Sequence, residues 1–317
     1  MFTNLLLLLF IYLFIYSFIL NKTSIPQNSI GILHLNISSI SNHVNDLKIL
    51  LNLSKHKFHT ICLSESRLKK NSDPTFNIDI PGFTMEHTPT ESSAGGTLIY
   101  ISNDINYKLR SDLKIYKSKE LESTFVELSF EKQQNIIIGC IYKHPSMTPD
   151  DFNSNYLEKL LNKTANIRKP IFLAGDFNFN LLKYGNHNNT TDFLDNLHSH
   201  YFLPLIISPT RITSHSATLI DNIFINENDF NISSGNILSS ISDHLPQYAF
   251  LINFFLTKSK PNNDIWRRDF RSFNLDYFKN DLAYNMNWDT IYDQGTDVNL
   301  NINYFLNQLE KIFNKHA

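Results

Sequence analysis

Two β-sheets packed together and covered by helices are what this sequence predicts, and three observations carry the prediction. Apolar runs of strand length recur along the chain and outnumber the helix-period stretches. Turns rich in Asn, Ser and Pro separate them. Three of the runs stop abruptly: Ile171 to Ala174 at Gly175-Asp176-Phe177-Asn178, Leu219-Ile220 at Asp221-Asn222, and Ser240-Ile241 at Ser242-Asp243-His244-Leu245-Pro246. An apolar run that breaks off at an acid or amide reads as a buried strand delivering polar side chains to a sheet edge, where α/β folds hold their catalysts.

Taken in order, Ile30 to Leu35 reads as a first strand ending at Asn36, and a helix follows with Leu47, Leu50 and Leu51 on one face. His59 to Ser64 is the second strand and ends at Glu65. Further strands are expected over Gly96 to Ile101, Thr124 to Phe130, Asn135 to Tyr142 and Ile171 to Ala174. Pro149 suits the start of a helix over Asp150 to Leu161, and Phe193, Leu194 and Leu197 share a face of a helix over Thr190 to Tyr201. Short strands near Leu205 to Ile207, Leu219 to Ile225 and Leu245 to Ile252 complete the set.

The 317 residues, 42% hydrophobic with 9 glycines, suffice for one large core and an appendage. Residues 1–28 fall outside the fold: Leu5 to Leu20 is nearly all Leu, Ile, Phe and Tyr, yet marginal in length for a membrane span and without the positive leading residues of a secretory signal. It reads as an anchor or signal, or as upstream sequence that adds nothing to the fold. Residues 29–256 form the main domain. Composition then shifts to Lys, Ser, Pro and Asn over Thr257 to Asp264, a domain edge, and 257–317 carries two helix-like stretches, Leu275 to Tyr284 and Leu300 to Phe313. Formal net charge is −2, so no global positive field marks a nucleic-acid binder, although a local basic surface beside an acidic site leaves the same total. Cys62 and Cys140 sit in apolar runs and read as buried small hydrophobes in a reducing compartment.

The strand-end polar residues are Asn36, Glu65, Tyr142, Asp176, Asn178, Asp221, Asp243 and His244. Singly, each is a turn former, a helix cap or a solvated side chain; as a set they describe phosphoryl chemistry. The Glu65 and Asp243 carboxylates and the Asn36 amide are hard oxygen donors of the kind Mg²⁺ or Mn²⁺ selects, and no Cys or multi-His cluster points to zinc. Asp176 is placed to orient or deprotonate water, Asn178 to donate an amide hydrogen bond, and Tyr142 to position a phosphate. His244 is a general acid/base or a charged donor, its tautomer fixed if Asp221 reaches its second nitrogen. Spacing leaves open whether Asp176 or His244 is the base.

The chain resembles the endonuclease/exonuclease/phosphatase superfamily, and within it the endonuclease domain of non-LTR (LINE-type) retrotransposon polyproteins. The match runs in order through Leu35-Asn36-Ile37, Leu63-Ser64-Glu65-Ser66, Ala94-Gly95-Gly96-Thr97, Ile141-Tyr142-Lys143-His144-Pro145, Gly175-Asp176-Phe177-Asn178, Pro209-Thr210-Arg211-Ile212-Thr213, Leu219-Ile220-Asp221-Asn222-Ile223-Phe224 and Ser242-Asp243-His244-Leu245-Pro246. The resemblance implies a four-layered α/β sandwich of DNase I type, two mostly antiparallel sheets face to face with helices outside. It implies Glu65 as metal ligand with Asn36 and Asp243 close by, Asp176 and Asn178 handling water and transition state, Asp221 orienting His244, and Tyr142 on the phosphate. Arg211, Thr210, Thr213 and Ser242 become candidates for DNA contact. The implied reaction nicks one DNA strand and leaves a 3′ hydroxyl that primes reverse transcription. One departure is local: the branch favours Tyr-Arg-Pro-Pro where this chain has Tyr142-Lys143-His144-Pro145.

The tail from Arg267-Arg268-Asp269-Phe270 through Trp288 resembles the connector to a reverse transcriptase, a domain expected in a full-length element and absent from this sequence. A nuclear or cytoplasmic location follows from the family, and a membrane partner only from residues 5–20. Two other readings keep the fold: a phosphatase or phosphodiesterase acting on a lipid or nucleotide, and an inactive transposon remnant.

Overall fold

The computed structural model describes residues 25–26, 28–70, 77–131, 133–227, 229–252, 254, 274–286 and 298–316. One six-stranded sheet comprises β1 (Ile30–Asn36), β2 (Thr60–Ser64), β3 (Phe83–Thr88), β4 (Thr97–Ser102), β13 (Ile232–Asn236) and β14 (Gln247–Leu251), in the order β13-β14-β1-β2-β4-β3. The other comprises β5 (Asn106–Leu109), β6 (Leu121–Ser129), β7 (Ile136–Lys143), β8 (Ile171–Asp176), β9 (Leu203–Pro204) and β12 (Asp221–Ile225), in the order β5-β6-β7-β8-β12-β9. A separate hairpin pairs β10 (Arg211–Ile212) with β11 (Ala217–Thr218).

Each sheet is antiparallel apart from one central parallel pair, β1 with β2 and β7 with β8. Parallel neighbours need a crossover, and a helix supplies it each time. The first is α1 (Ile40–Leu53). The second, α2, begins as α over Pro149–Asp151, widens to a π-helical turn over Phe152–Leu157 and closes as α over Glu158–Thr164. Thr148 caps it, accepting the Asp151 N–H, with Pro149 in the first turn. A third helix, α3 (Asn188–Ser199), follows β8.

Period-2 alternation sorts the apolar residues into layers. Ile30 and Ile32 of β1, Cys62 of β2, Ile136 and Ile138 of β7, and Phe172 and Ala174 of β8 meet in a core between the sheets. The intervening residues face outward: Leu33, Leu35, Ile61 and Leu63 pack on Val44, Leu47 and Leu50 of α1. On the far side Ile137, Ile171 and Leu173 pack on Phe152 and Leu160 of α2 and on Phe193 and Leu197 of α3. Each fully buried side chain of this size contributes about 1.5–3 kcal/mol. The result is the expected four-layered α/β sandwich, its two sheets mixed. Both cysteines are free and buried.

Four edge strands depart from expectation. β3, β5 and β13 are strands that the sequence did not signal, and the strand expected at Leu205 to Ile207 is displaced to β9. There the Asn222 side chain replaces a ladder: its amide donates to Ile206 O (2.8 Å) and its carbonyl accepts the Ile206 N–H (3.2 Å).

The chain divides into two compact units, Met1–Ser259 and Lys260–Ala317. In the second, α4 (Leu275–Tyr284) and α5 (Val298–His316) bury Met286 and Ile312 among Phe278, Leu282, Tyr304, Phe305 and Leu309. Among the described residues no helix is long and apolar enough to cross a membrane. The apolar run at residues 5–20, the composition shift at 257–264, Arg267 to Phe270 and Trp288 lie outside the described residues.

Two buried groups tie stability to acid. Glu127 is fully buried and receives Lys169 (2.7 Å), Asn135 (2.8 Å) and Arg110 (2.7 Å). Burial opposes its ionisation, but these donors outweigh it and hold the pKa down at about 2. His59 is buried, accepts the Gly31 N–H on Nδ1 (3.0 Å), and is pushed down to about 4 by burial and by Lys57. Both folded pKa values lie below the unfolded ones, 6.5 for His59 and 4.5 for Glu127. Stability is therefore expected to fall as pH drops from 6.5 to 4 through His59, and again from 4.5 towards 2 through Glu127. Urea midpoints across that range test this. His59→Gln, whose amide oxygen can still accept the Gly31 N–H, should flatten the first slope; an unchanged slope would remove His59 as its source.

Candidate active site

The alternation that builds the inner core continues to the strand ends, where only its chemistry changes. On β1 the inner positions Ile30 and Ile32 are followed by His34 and Asn36; on β7 Ile138 and Cys140 are followed by Tyr142; on β8 Phe172 and Ala174 are followed by Asp176. On antiparallel β12 the same parity leads from Ile225 and Ile223 back to Asp221. Register pairs Tyr142 with Asp176 and Asp176 with Asp221. Three site residues thus share one rung across three strands spaced about 4.8 Å apart. The polar end of the inter-sheet core is the candidate site.

Hydrogen bonds join this rung to the facing sheet. Asn36 Nδ2 donates to Glu65 Oε1 (3.1 Å) and to Asp176 Oδ2 (2.9 Å), and the Tyr142 hydroxyl donates to Glu65 Oε1 (2.9 Å). The Arg67 guanidinium reaches Glu65 Oε2 (3.1 Å) and Ser38 Oγ (2.9 Å). Glu65, Arg67 and Asn178 all have positive φ (50°, 56° and 53°), a conformation that costs non-glycine residues about 1–2 kcal/mol and that clusters at functional sites. Backbone bonds pin the strained turn: Arg67 N–H to Gly95 O (2.8 Å) and Ser66 N–H to Gly96 O (3.1 Å). Asn178 folds back, its N–H to Asp176 Oδ1 (3.0 Å) and its amide to Lys143 O (2.7 Å).

On the other side of the rung, His244 Nδ1 lies 2.8 Å from Asp221 Oδ2, which also accepts the Thr210 hydroxyl (2.7 Å). Ligand atoms of Asp176, Asp221 and His244 all lie within 4.8 Å of one another. Burial works against a charged His244, but the Asp221 hydrogen bond with the Asp221 and Asp176 charges outweighs it and raises the pKa to about 9. Asp176 is pushed up to about 8 by burial and by the charge of Asp221. Burial, with the Glu65 and Asp176 charges, holds the Tyr142 phenol far above its ordinary value, so it stays a donor.

Of the expected residues, the structure brings together Asn36, Glu65, Tyr142, Asp176, Asn178, Asp221 and His244. Others are placed differently. Thr210, expected on DNA, is fully buried and holds Asp221, because its hydroxyl also accepts the Asp221 N–H (3.2 Å). Ser242, also expected on DNA, turns inward and donates to Asn36 O (2.6 Å). Asp243, expected beside Glu65 as a metal ligand, is drawn to Arg211, with Nε 2.8 Å and a terminal nitrogen 2.7 Å from Oδ2. Asn36 presents its amide nitrogen to two carboxylates, while its oxygen accepts the Ser38 N–H (3.2 Å). Thr213 is exposed and closes the β10–β11 turn on Ser216. Residues that sequence reading passed over include Glu122, which register places beside Tyr142 on the same rung. Its parity with the inner-facing Val126 and Leu128 was the available signal.

The donor set suits a hard divalent cation. Asp176, Asp221 and His244 cluster their ligand atoms, Asn36 links Glu65 to Asp176, and Asp221 Oδ1 is buried without a hydrogen-bond partner. An orphaned carboxylate oxygen in a low-dielectric pocket is costly and is a natural cation contact.

A model of the endonuclease/exonuclease/phosphatase family matches residues 33–244. Among solved structures, the chain is similar to the AP endonuclease LMAP from Leishmania major, at 12% identity over 72% of this chain and 89% of that one, with a TM-score of 0.57. It is similar to a mannosyl-6-phosphatase from Bacteroides thetaiotaomicron, at 12% identity over 70% of this chain and 100% of that one, with a TM-score of 0.51. The chain is also similar to the endonuclease domain of TRAS1, a telomere-specific non-LTR retrotransposon, at 13% identity over 70% of this chain and 97% of that one, with a TM-score of 0.49. No curated protein sequence matches the chain.

Proposed function

Because the chain belongs to the endonuclease/exonuclease/phosphatase family, we propose that it is a Mg²⁺-dependent endonuclease of retrotransposon type that nicks DNA and leaves a 3′ hydroxyl for target-primed reverse transcription. One observation carries the chemistry: the Tyr142–Asp176–Asp221 rung, with His244 locked on Asp221 and Glu65 held from the opposite sheet. Substrate choice is supported by the ordered motifs around Asn36, Glu65, Asp176 and His244, and by the exposed β10–β11 hairpin. That hairpin bridges to His244 through Arg211 and offers Arg211 and Thr213 to a phosphate backbone.

The residues divide the work by charge. His244, protonated at neutral pH and tethered by Asp221, donates to an oxygen of the scissile phosphate. Asp176 titrates near neutrality and is the base that takes a proton from water. Asn178 fixes Asp176 through its backbone N–H, with a second amide hydrogen free for developing charge. Tyr142 donates from its phenol. The family uses divalent metals, and Glu65 with the unpartnered Asp221 oxygen would offer the donors for Mg²⁺, or Mn²⁺, with Asn36 and Asp243 joining only if they turn from Ser38 and Arg211. Held there, it would supply charge stabilisation for a non-bridging phosphate oxygen and for the leaving oxygen.

The purified full chain should relax supercoiled plasmid with Mg²⁺ and stop with a chelator, and Glu65→Ala or His244→Ala should lower the rate roughly 10²–10⁴-fold. Metal-dependent phosphate release from small esters without nicking would move the substrate to a phosphomonoester. Inactivity on both, with cooperative melting intact, would identify an inactive copy.

A further inference from the structure

The site rung does not end at Tyr142. Register extends it to Glu122 on β6, a fully buried carboxylate in the same row as Tyr142, Asp176 and Asp221. Both Glu122 oxygens are engaged: Oε2 lies 2.8 Å from His144 Nε2, and Oε1 accepts the Thr90 hydroxyl (2.8 Å). His144 is buried as well. It stands where the Tyr-Arg-Pro-Pro pattern has proline, so the departure in Tyr142-Lys143-His144-Pro145 is filled by a specific partner.

The pair spans the two sheets. Glu122 is on β6 and His144 directly follows β7, whereas Thr90 and Gly95 lie on the loop between β3 and β4 of the other sheet. Gly95 has φ +113°, and a Cβ there would lie 2.5 Å from His144 Nε2, so only glycine leaves room for the imidazole. The same Gly95 carbonyl holds the Arg67 N–H, two residues beyond Glu65. On the other side of His144, the Tyr142 ring packs edge-on at 4.6 Å and its hydroxyl reaches Glu65. Between them, the Lys143 carbonyl receives the Asn178 amide. Three consecutive residues therefore touch Glu65, Asn178 and Glu122 in turn.

We propose that Glu122 and His144, seated against Gly95 and tied to Thr90, are positioning residues that brace the two sheets and set the Tyr142 hydroxyl on Glu65. The inference rests on the reading of Tyr142 and Glu65 as site residues. Outer partners of this kind change metal affinity or activity by roughly 10–100-fold when removed. Neither residue is placed to touch substrate; both act through Tyr142.

The test uses the full chain with ¹³C-labelled tyrosine. Glu122→Gln and His144→Gln should each move the Tyr142 Cζ resonance and weaken Mg²⁺ binding roughly 10–100-fold by titration, and lower the nicking kcat while the KM for plasmid holds. In a Tyr142→Phe background, Glu122→Gln should add little further loss, since its effect passes through the phenol. An unmoved Tyr142 resonance with unchanged Mg²⁺ affinity, or losses that simply multiply with Tyr142→Phe, would overturn the brace. If the wild type nicks nothing, the proposed activity fails, and the resonance and the Mg²⁺ titration still decide this inference.

Discussion

An Asp176→Asn variant should nick plasmid roughly a thousandfold more slowly than the wild type, yet melt at a higher temperature near pH 9 when no metal is present. The two effects share one cause. Folded Asp176 keeps its proton up to about pH 8, whereas the unfolded carboxyl loses it near 3.8, so folding takes up a proton and is disfavoured increasingly as pH rises between those values. An amide has no charge to bury. It also has no basicity with which to accept a proton from water. One contact is lost: Asp176 accepts from both Asn36 and the Asn178 N–H, and an amide can accept only one of these, a penalty of roughly 1–2 kcal/mol. The gain in melting temperature should therefore be larger at pH 9 than at pH 5, in chelator. Full nicking activity, or a gain independent of pH, would take Asp176 out of the role of buried base.

Gly175→Ala, one residue earlier, should act on the fold itself. A Cβ at Gly175 would lie 2.0 Å from the Ile141 carbonyl oxygen and 2.9 Å from its carbon, both backbone atoms of the central β7. Side chains can swing aside from an added methyl; a paired strand cannot. The expected loss is at least about 3 kcal/mol, the upper range for overpacking, with Asp176 displaced from Tyr142. Gly185→Ala is the control, because that glycine has a positive φ but nothing within 4 Å of the new methyl, so only about 1–2 kcal/mol of backbone strain remains. Urea unfolding of both variants decides: equal losses would mean that β7 and β8 are not as close at this point as the register requires.

The central strands were legible because burial writes them in the sequence. β1, β2, β7, β8 and β12 are covered on both faces, so they read as apolar runs, and their ends show as sudden Asn36, Glu65, Asp176 and Asp221. β3, β5 and β13 were not legible, since Phe83–Thr88, Asn106–Leu109 and Ile232–Asn236 are partly exposed edge strands whose polar residues read as loop. In the site, chain position gave the residues but not their orientation. Thr210 and Ser242 sit in motifs that look outward and fold inward, because buried Asp221 and the Asn36 carbonyl need donors. Asp243 follows the nearest cation, Arg211. Parity with Val126 and Leu128 could show Glu122 only as inward-facing; its neighbours on the rung lie in the cross-strand register, which local pattern does not record.

The chain enters the sandwich on β1 and leaves it on β14, and these strands are antiparallel neighbours with Ile30 opposite Leu251. The doorway and the exit of the fold therefore stand side by side at one pole. His34, paired with Gln247, and Asn36, beyond that pair on β1, lie towards the opposite pole. Such a module can be threaded into a longer polypeptide, or closed head to tail by a short linker, without stretching the pole that carries the candidate site. Whatever host sequence flanks it pulls on one seam of the sheet, away from the carboxylates.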